Sequence, residues 1–296
     1  MPLVPALLLA ATIATEPAAV PEGTGTGVAQ ATAGTTDVAA DQGKFTKVAA
    51  ADKASKDATE LDVTVGGLFH TGNARSIAVT TALRTRVRRD IHEFGAGFAS
   101  NNGRADTGDG WEETVRNIQG RVRYDVFFPR ASQRFSFFLM ETARHDPFQG
   151  LDLRNNVDPG FGFFVLTKIN HRLWFEAGYD YQFDLRSAEA RIVLDDMEMD
   201  TGERLDATRE THASRLFAGY ANRLNERVTF DTGLEYLQAL TDGARLRVNY
   251  DAALTTQLFE RLSIALSFSL RYDNDPLPDV EKLDTITAAN LVYRFF

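Results

Sequence analysis

Apolar and polar residues alternate along most of the chain from about residue 60 to its end. In residues 262–272 one side of a two-residue period carries Leu262, Ile264, Leu266, Phe268, Leu270 and Tyr272, and the other side carries mostly serine and arginine. Residues 173–183 and 245–258 show the same pattern. Since successive side chains of a strand point to opposite faces, each segment predicts a β-strand with one apolar and one polar face.

Similar alternation, regular or less regular, predicts about twelve strands in all. The predicted strands are residues 61–69, 77–87, 94–98, 115–128, 135–140, 157–165, 173–183, 216–220, 228–236, 245–258, 262–272 and 283–296. An even number of antiparallel strands is what single-chain bacterial outer-membrane barrels require.

The connections between these segments alternate in length. Short turns are expected near residues 89–90, 129–133, 167–171, 222–226 and 259–261, and longer polar loops at 101–112, 145–153, 184–209 and 273–282. This alternation places the tight turns at one rim and the long loops at the other. Outer-membrane barrels have that asymmetry, with periplasmic turns and external loops.

The chain ends on an apolar strand without a polar tail. Tyr293 and Phe295 share a face with the preceding apolar residues, and one additional residue, Phe296, follows. Terminal aromatic residues after an alternating strand are typical of bacterial outer-membrane barrels. We therefore interpret Tyr293, Phe295 and Phe296 as a signal for barrel assembly, with the last strand closing against the first.

Composition narrows the class of protein. The 296 residues carry a formal net charge of -9, which argues against nucleic-acid binding, and the absence of Cys removes disulfides and thiolate chemistry. No stretch of the mature chain approaches the roughly 18 apolar residues of a membrane helix. A chain of this kind that spans a membrane must do so as a closed barrel.

The amino-terminal part of the chain has a different composition. Residues 1–14 form a short apolar run followed by small residues, which predicts a secretory signal peptide cleaved near residue 14 or as late as about residue 20. Residues 15–59 are rich in Ala, Thr, Gly and Pro and predict a disordered periplasmic tether. Within it, residues 44–57 are predicted either as a short helix or as continued linker.

Alternation alone does not decide which face of a barrel is inside. A soluble lipocalin-like barrel that binds an apolar ligand would place its apolar face inward. The signal peptide, the terminal aromatic residues and the tyrosines near strand ends favour the opposite arrangement. We predict an all-β fold, a transmembrane antiparallel up-and-down β-barrel of about 12 strands over residues 60–296.

Four segments of the predicted barrel resemble one known family. They are residues 66–73 (GGLFHTGN), 144–162 (RHDPFQGLDLRNNVDPGFG), 270–276 (LRYDNDP) and 284–296. In order and spacing the chain resembles the salt-induced outer-membrane proteins, YdiY-like, a domain of unknown function. The resemblance covers the whole predicted barrel and implies an outer-membrane β-barrel of a Gram-negative envelope. It implies no reaction.

The polar faces of the strands are expected to line the lumen. The candidate lumen charges are Arg84, Arg86, Arg121, Arg123, Glu176, Asp180, Arg227, Asp231, Glu235, Arg245, Arg247, Asp251 and Arg271. Both signs are present, so we expect them to pair across the lumen and fill it, because unpaired buried charges are costly. The alternative is a narrow water-filled pathway with a charged lining.

A second group of charged residues is expected at the rim. It comprises Arg144, His145, Asp146, Arg154, Asp273, Asp275 and Asp284, which we interpret as an ion-pair network that orders the loops. The alternative is an outer-membrane acyl hydrolase or transferase built on His145. We do not expect an enzyme, because no Ser lies in a motif such as G-x-S-x-G.

No cofactor or metal is expected. The acidic residues of the longest loop, Asp195, Asp196, Glu198, Asp200 and Glu203, fail the spacing of a calcium loop, and the five His show no paired ligand spacing. We expect a role in envelope structure or stress adaptation, with limited ion or small-solute passage. The expected location is the outer membrane, and the expected partners are its lipid, lipopolysaccharide and the barrel-assembly machinery.

Overall fold

A computed structural model describes residues 57–70, 75–106, 110–130, 132–168, 170–194, 200–241, 243–276 and 282–295. The predicted signal peptide and nearly all of the predicted tether, including its helix or linker segment up to residue 56, lie outside the described residues. So does Phe296. The first strand begins at Asp57, three residues before the predicted start of the barrel.

Fourteen strands are present in the described residues. They are β1 (Asp57–His70), β2 (Arg75–Arg89), β3 (His92–Asp106), β4 (Trp111–Phe128), β5 (Phe135–Asp146), β6 (Leu151–Thr167), β7 (His171–Arg186), β8 (Ile192–Leu194), β9 (Asp200–Arg204), β10 (Thr208–Arg223), β11 (Val228–Ala239), β12 (Leu246–Gln257), β13 (Leu262–Asp273) and β14 (Leu283–Arg294). Single 3-10 turns cover Pro147–Gln149 and Glu189–Arg191.

Twelve of these strands form one closed antiparallel barrel within the described part of the chain, which confirms the predicted fold class. Each barrel strand pairs with its neighbours in sequence, and β14 closes the barrel against β1. In the closing register Val63 pairs with Tyr293, and the backbone N–H of Phe295 donates to the carbonyl of Leu61 at 2.9 Å. Closure leaves no unpaired edge, so the backbone polar groups are satisfied without water.

The two faces of the barrel differ as the alternation predicts. Outward positions carry exposed apolar side chains, such as Phe161, Leu216 and Leu266, whereas many inward positions carry buried charged or polar ones. A soluble barrel that binds an apolar ligand has the reverse arrangement, so the alternative of a lipocalin-like barrel is wrong. Glu141 is an exception to this pattern, since it is a carboxylate at an outward position. It accepts a hydrogen bond from Asn155 at 3.1 Å.

The predicted alternation of short turns and longer loops is confirmed only in part, because the connections at 107–110 and 147–150 are as short as the turns at the other rim, whereas those at 187–207 and 274–282 are long. The strands extend further towards the loops than the sequence indicated, with β3 reaching Asp106 and β5 reaching Asp146. The longest predicted loop contains the separate two-stranded hairpin of β8 and β9. A strand of about 9–11 residues spans a bilayer, so the barrel strands of 12–18 residues project beyond it.

Among the described residues, the structure contains no helix with the length and apolar character needed to cross a membrane.

Candidate functional site

The lumen is filled by side chains that point inward from alternate positions of the strands. Strand β7 shows the order, because its inward residues run from the turn rim to the loop rim as Arg172, Trp174, Glu176, Gly178, Asp180, Gln182 and Asp184. Its outward neighbours include Phe175 and Tyr179, which are exposed. We name three layers of the lumen after these residues. The turn-end layer lies at Arg172 and Trp174, the middle layer at Glu176, and the loop-end layer at Asp180, Gln182 and Asp184.

Glu176 is the centre of the middle layer. Its carboxylate accepts hydrogen bonds from both terminal nitrogens of Arg123, at 2.9 and 3.2 Å, and from Nη1 of Arg215 at 2.9 Å. Arg123 also donates to both oxygens of Asp125, and Nε of Arg215 donates to Glu235 at 2.7 Å. Three carboxylates and two guanidiniums thus form one buried network. Pairing of this kind makes buried charge tolerable.

An aromatic ring supports the same layer. The guanidinium of Arg123 lies 4.1 Å from the ring centroid of Phe138, and that of Arg215 lies 5.5 Å from it. Phe138 points inward and is fully buried. The negative face of the ring lies against both cations, so it adds to the attraction of the carboxylates.

The turn-end layer contains an apolar cluster inside the charged lumen. Phe127, Phe164, Trp174 and Phe217 pack together from four different strands, with Ile91 and Ala221 at the edge of the cluster. Above it, Glu93 accepts hydrogen bonds from Arg86 at 2.8 Å and Arg88 at 3.3 Å. The cluster closes this part of the lumen close to the short turns.

The loop-end layer again consists of paired charges. Arg154 donates through Nε and Nη2 to the two oxygens of Asp184, at 2.7 and 2.8 Å. Arg247 reaches across from β12 to Asp180 at 2.9 Å and also donates to Gln182. These bonds link β6 and β7 to β12 on the loop side of the middle layer.

One wall of the lumen is not filled to the same degree. On β4 the inward residues from Asn117 to Phe127 are all buried. On β12 and β13 most inward residues remain partly exposed. We call them the exposed strip: Arg247, Asn249, Asp251, Thr255, Ser263, Ser267, Arg271 and Asp273. The strip runs from the loop rim to the turn rim and is interrupted only by three small buried residues, Ala253, Ala265 and Ser269.

The structure places almost all of the predicted lumen charges on inward positions. Those facing inward are Arg84, Arg86, Arg121, Arg123, Glu176, Asp180, Asp231, Glu235, Arg245, Arg247, Asp251 and Arg271. Arg227 is the exception, and its assignment to the lumen was wrong. It lies exposed in the turn before β11, where its backbone N–H donates to Oδ1 of Asn225 at 2.9 Å, because the strand starts only at Val228.

The predicted rim network is formed only in part, because Arg245 links Asp273 and Asp275, whereas Arg144 and Arg154 belong to other pairs. Arg144 pairs with Asp146 at 2.5 Å, whereas Arg154 pairs with Asp184, which the sequence analysis did not include. Asp273 accepts from Arg245 at 3.0 Å, and Asp275 from Arg209 at 2.8 Å. The backbone of Asp284 pairs with Arg271 across β13 and β14, and its side chain is not among those described.

His145 lies apart from these pairs. Its Nδ1 is 2.8 Å from the backbone carbonyl of Asp152, and it sits at an outward position of β5 whose two inward neighbours are Arg144 and Asp146. Successive residues of a strand point to opposite faces, so the three predicted partners cannot share one side of the wall.

The carboxyl terminus contributes outward aromatic residues to the closing strand. The rings of Tyr293 and Phe295 are exposed and meet edge to face at 4.9 Å between centroids. Both therefore belong to the outer surface at the seam between β14 and β1.

Several lumen residues were missed by the sequence analysis. Asp125 lies two positions from Arg123 on the same face, and Arg215 lies one position before a strand predicted to start at Leu216, so stricter use of the alternation would have found both. Trp174 shares the inward face with Glu176. It was missed because the alternation predicts polar residues on this face and gives no reason to expect a large apolar one.

The β8–β9 hairpin in the longest loop carries an isolated exposed pair. Arg204 donates to both oxygens of Asp200, at 2.7 and 2.8 Å, and the backbone N–H of Gly202 donates to the same carboxylate. The Arg204 bond and the Gly202 bond lower the pKa of Asp200 to about 2. Among the described residues no group of three or more His, Asp or Glu is arranged to hold a metal ion.

A closed barrel with an apolar outer wall and paired charges inside defines the class of protein as an outer-membrane-type β-barrel with a channel-like fold. Residues 63–295 match the family "Protein of unknown function, DUF481". The chain belongs to this family, which is the salt-induced, YdiY-like outer-membrane family that the sequence resembles.

Solved structures of bacterial porins and channels have a similar fold. The NanC porin is 13% identical with a TM-score of 0.47, the alignment covering 80% of this chain and all of that one. An outer-membrane channel of Pseudomonas putida F1 is 9% identical, with a TM-score of 0.48 and coverage of 83% and 100%. The KdgM porin is 10% identical, with a TM-score of 0.42 and coverage of 81% and 100%. No curated protein matches the sequence.

Proposed function

We propose that the protein lies in the outer membrane and conducts small ions and solutes along the exposed strip of β12 and β13. The observation that carries this proposal is the contrast between the two walls of the lumen. Inward residues of β4 from Asn117 to Phe127 are buried, whereas those of β12 and β13 keep partial solvent exposure towards both rims, except for Ala253, Ala265 and Ser269. The ion pairs of the middle layer hold the side chains that fill the rest of the lumen in place.

The strip carries charges of both signs. Asp251 accepts from Arg271 at 2.8 Å, and Asp273 accepts from Arg245. Since neither sign dominates, the path discriminates weakly between anions and cations and restricts solutes mainly by its width. Such a pathway suits limited exchange of ions during adaptation to salt, which is the role that the family name suggests.

The test is the conductance of the full chain, refolded and inserted into a planar lipid bilayer at two salt concentrations. We expect small unitary steps that increase with salt. The Ser267→Trp variant places a large side chain in the strip and should abolish most of the conductance. Leu266→Trp places the same side chain on the outer wall one residue away, where Leu266 is exposed, and should leave conductance unchanged.

Two results would contradict the proposal. Silence from a barrel shown by its heat-modifiable migration to be folded and inserted would mean a filled lumen. Equal conductance in wild type and Ser267→Trp would place the path elsewhere. The function would then lie in envelope structure, through contacts of the outer wall with lipid and of the loops with lipopolysaccharide.

A further inference from the structure

Arg172, in the turn-end layer, is a buried cation that has no hydrogen-bonding partner among the described residues. It is the second residue of β7, and only 5% of it is exposed. Its Nε and Nη1 atoms are buried and have no acceptor, and no ion pair joins its guanidinium to another residue of the described chain. Its contacts there are with two rings, Phe164 at 5.2 Å and Trp174 at 5.5 Å from their centroids.

Arg88 lies on the same aromatic cluster. Its guanidinium is 4.2 Å from the ring of Phe127, and that ring is 5.7 Å from the ring of Phe164, on which Arg172 rests. The charged groups that act on Arg172 across this layer are Glu93, Arg86, Arg88 and Asp125. Arg172 and Arg88 therefore flank one pair of rings, with Arg86 nearby.

The carboxylates that act on Arg172, Glu93 and Asp125, are bound to other arginines. Asp125 is occupied by both arms of Arg123, at 2.8 and 2.9 Å. Glu93 serves Arg86 and Arg88, and the partly exposed Glu60 adds one 3.3 Å bond to Arg86. Arg172 shares none of the hydrogen bonds that these carboxylates accept. Burial of a guanidinium whose N–H groups have no acceptor is unfavourable.

Two further donors in this layer also lack acceptors. They are Nε1 of Trp174 and Nε of Arg86, both buried. The rings of Phe164 and Trp174 offset part of the charge of Arg172, but they are not oxygen or nitrogen acceptors for its N–H groups. A group of buried donors that lack acceptors among the described residues is suited to an anion.

We propose that the turn-end layer binds one small oxoanion, of the phosphate or carboxylate type, through the guanidinium of Arg172. A guanidinium offers planar pairs of N–H groups that match two oxygens of such an anion. The site lies near the turn rim, since Nη2 of Arg88 donates to Gln133 in the turn between β4 and β5 at 2.6 Å. The bound anion supplies the missing acceptors and locks β7 against β2 and β3.

This inference does not depend on conduction along β12 and β13. A barrel that is silent in the bilayer but binds phosphate would retain the anion site and lose the pathway. A conducting barrel in which phosphate has no effect on stability would retain the pathway and lose the anion site. A negative result in one experiment therefore leaves the other proposal intact.

The test uses the full chain refolded in detergent micelles, with folding verified by heat-modifiable migration. Its resistance to urea unfolding is measured with increasing inorganic phosphate, and separately acetate, at constant ionic strength with chloride as the balancing salt. A ligand that binds only the folded state raises the unfolding midpoint as its concentration rises. We expect saturable stabilisation of the wild type by phosphate or acetate and at least tenfold weaker apparent binding in Arg172→Gln.

The matched control is Arg227→Gln, which removes an exposed arginine at the same rim and should retain the wild-type response. Without phosphate or acetate, Arg172→Gln should be at least as stable as the wild type, because the unpaired cation is gone. If Arg172→Gln does not fold, saturable broadening of the phosphorus-31 signal by the wild type, weakened in Arg172→Lys, decides the question. An equal response of wild type and Arg172→Gln, or no response in the wild type, would overturn the proposed anion site.

Discussion

The indole of Trp174 occupies the space that a side chain at Gly219 would need. A Cβ atom built on Gly219 would lie 2.6 Å from Cη2 of Trp174, and two other indole atoms would be closer still. The two residues are directly paired on β7 and β10. The large aromatic residue of the turn-end layer therefore depends on the absence of a side chain on the neighbouring strand.

Gly219→Ala should destabilise the barrel by about 1–3 kcal/mol, since the indole must shift within a packed cluster. Chemical unfolding followed by tryptophan fluorescence measures this cost. Adding Trp174→Leu should remove the clash and make the alanine nearly neutral relative to Trp174→Leu alone. Gly120→Ala is the matched control, because no atom lies within 4 Å of its Cβ position. A similar loss at both glycines would argue against the packing explanation.

Glu176→Gln should destabilise the barrel by about 3–5 kcal/mol, the cost typical of removing one partner from a buried ion pair. The amide keeps the volume of the carboxylate but leaves Arg123 and Arg215 without their shared counter-charge. Equilibrium unfolding in guanidinium checks this value. Glu226→Gln, in the exposed turn before β11, should change stability by no more than about 0.5 kcal/mol. Equal effects of the two substitutions would contradict the role of the middle layer.

The β8–β9 hairpin should be insensitive to mild acid. The pKa of Asp200 is lowered in the folded hairpin, so the pair with Arg204 contributes fully above the ordinary carboxyl pKa and is lost as pH falls through about 2. Carbon-13 NMR of the Asp200 carboxyl group should show titration near pH 2 in the wild type. In Arg204→Gln it should move towards the ordinary aspartate value of about 3.9. A midpoint unchanged by this substitution would rule out Arg204 as the cause.

Phe295→Ala should reduce insertion of the barrel in Gram-negative cells, since we propose that the assembly machinery reads the terminal aromatic residues. The fraction of protein that migrates as a heat-modifiable folded band measures insertion. Leu283→Ala removes an exposed outward side chain from the other end of β14 and serves as the control. If Phe295→Ala inserts as well as Leu283→Ala does, Phe295 is not part of the assembly signal.

The alternation of residues such as Leu262 to Tyr272 determined the strands and which charges share a face, and the signal peptide and terminal aromatic residues then favoured the inward position of that face. The physical basis of the alternation is local, because a strand directs successive side chains to opposite faces wherever it is placed. The same rule failed at Arg227, where the inward face is interrupted by the end of the strand. The end of a strand depends on pairing with its neighbours. For this reason β3, β5 and β10 are longer than the strands that the alternation predicted.

Only the tertiary structure decided which charges meet. Glu176 binds Arg123 and Arg215, which lie 53 and 39 residues away in sequence, because closure brings β4, β7 and β10 around one cavity. The aromatic cluster, the unpartnered Arg172 and the exposed strip also arise from this closure. The pattern of one strand specifies the face on which each side chain lies. The curvature of twelve paired strands decides what lies across the lumen, and with it which charges are neutralised and where water enters.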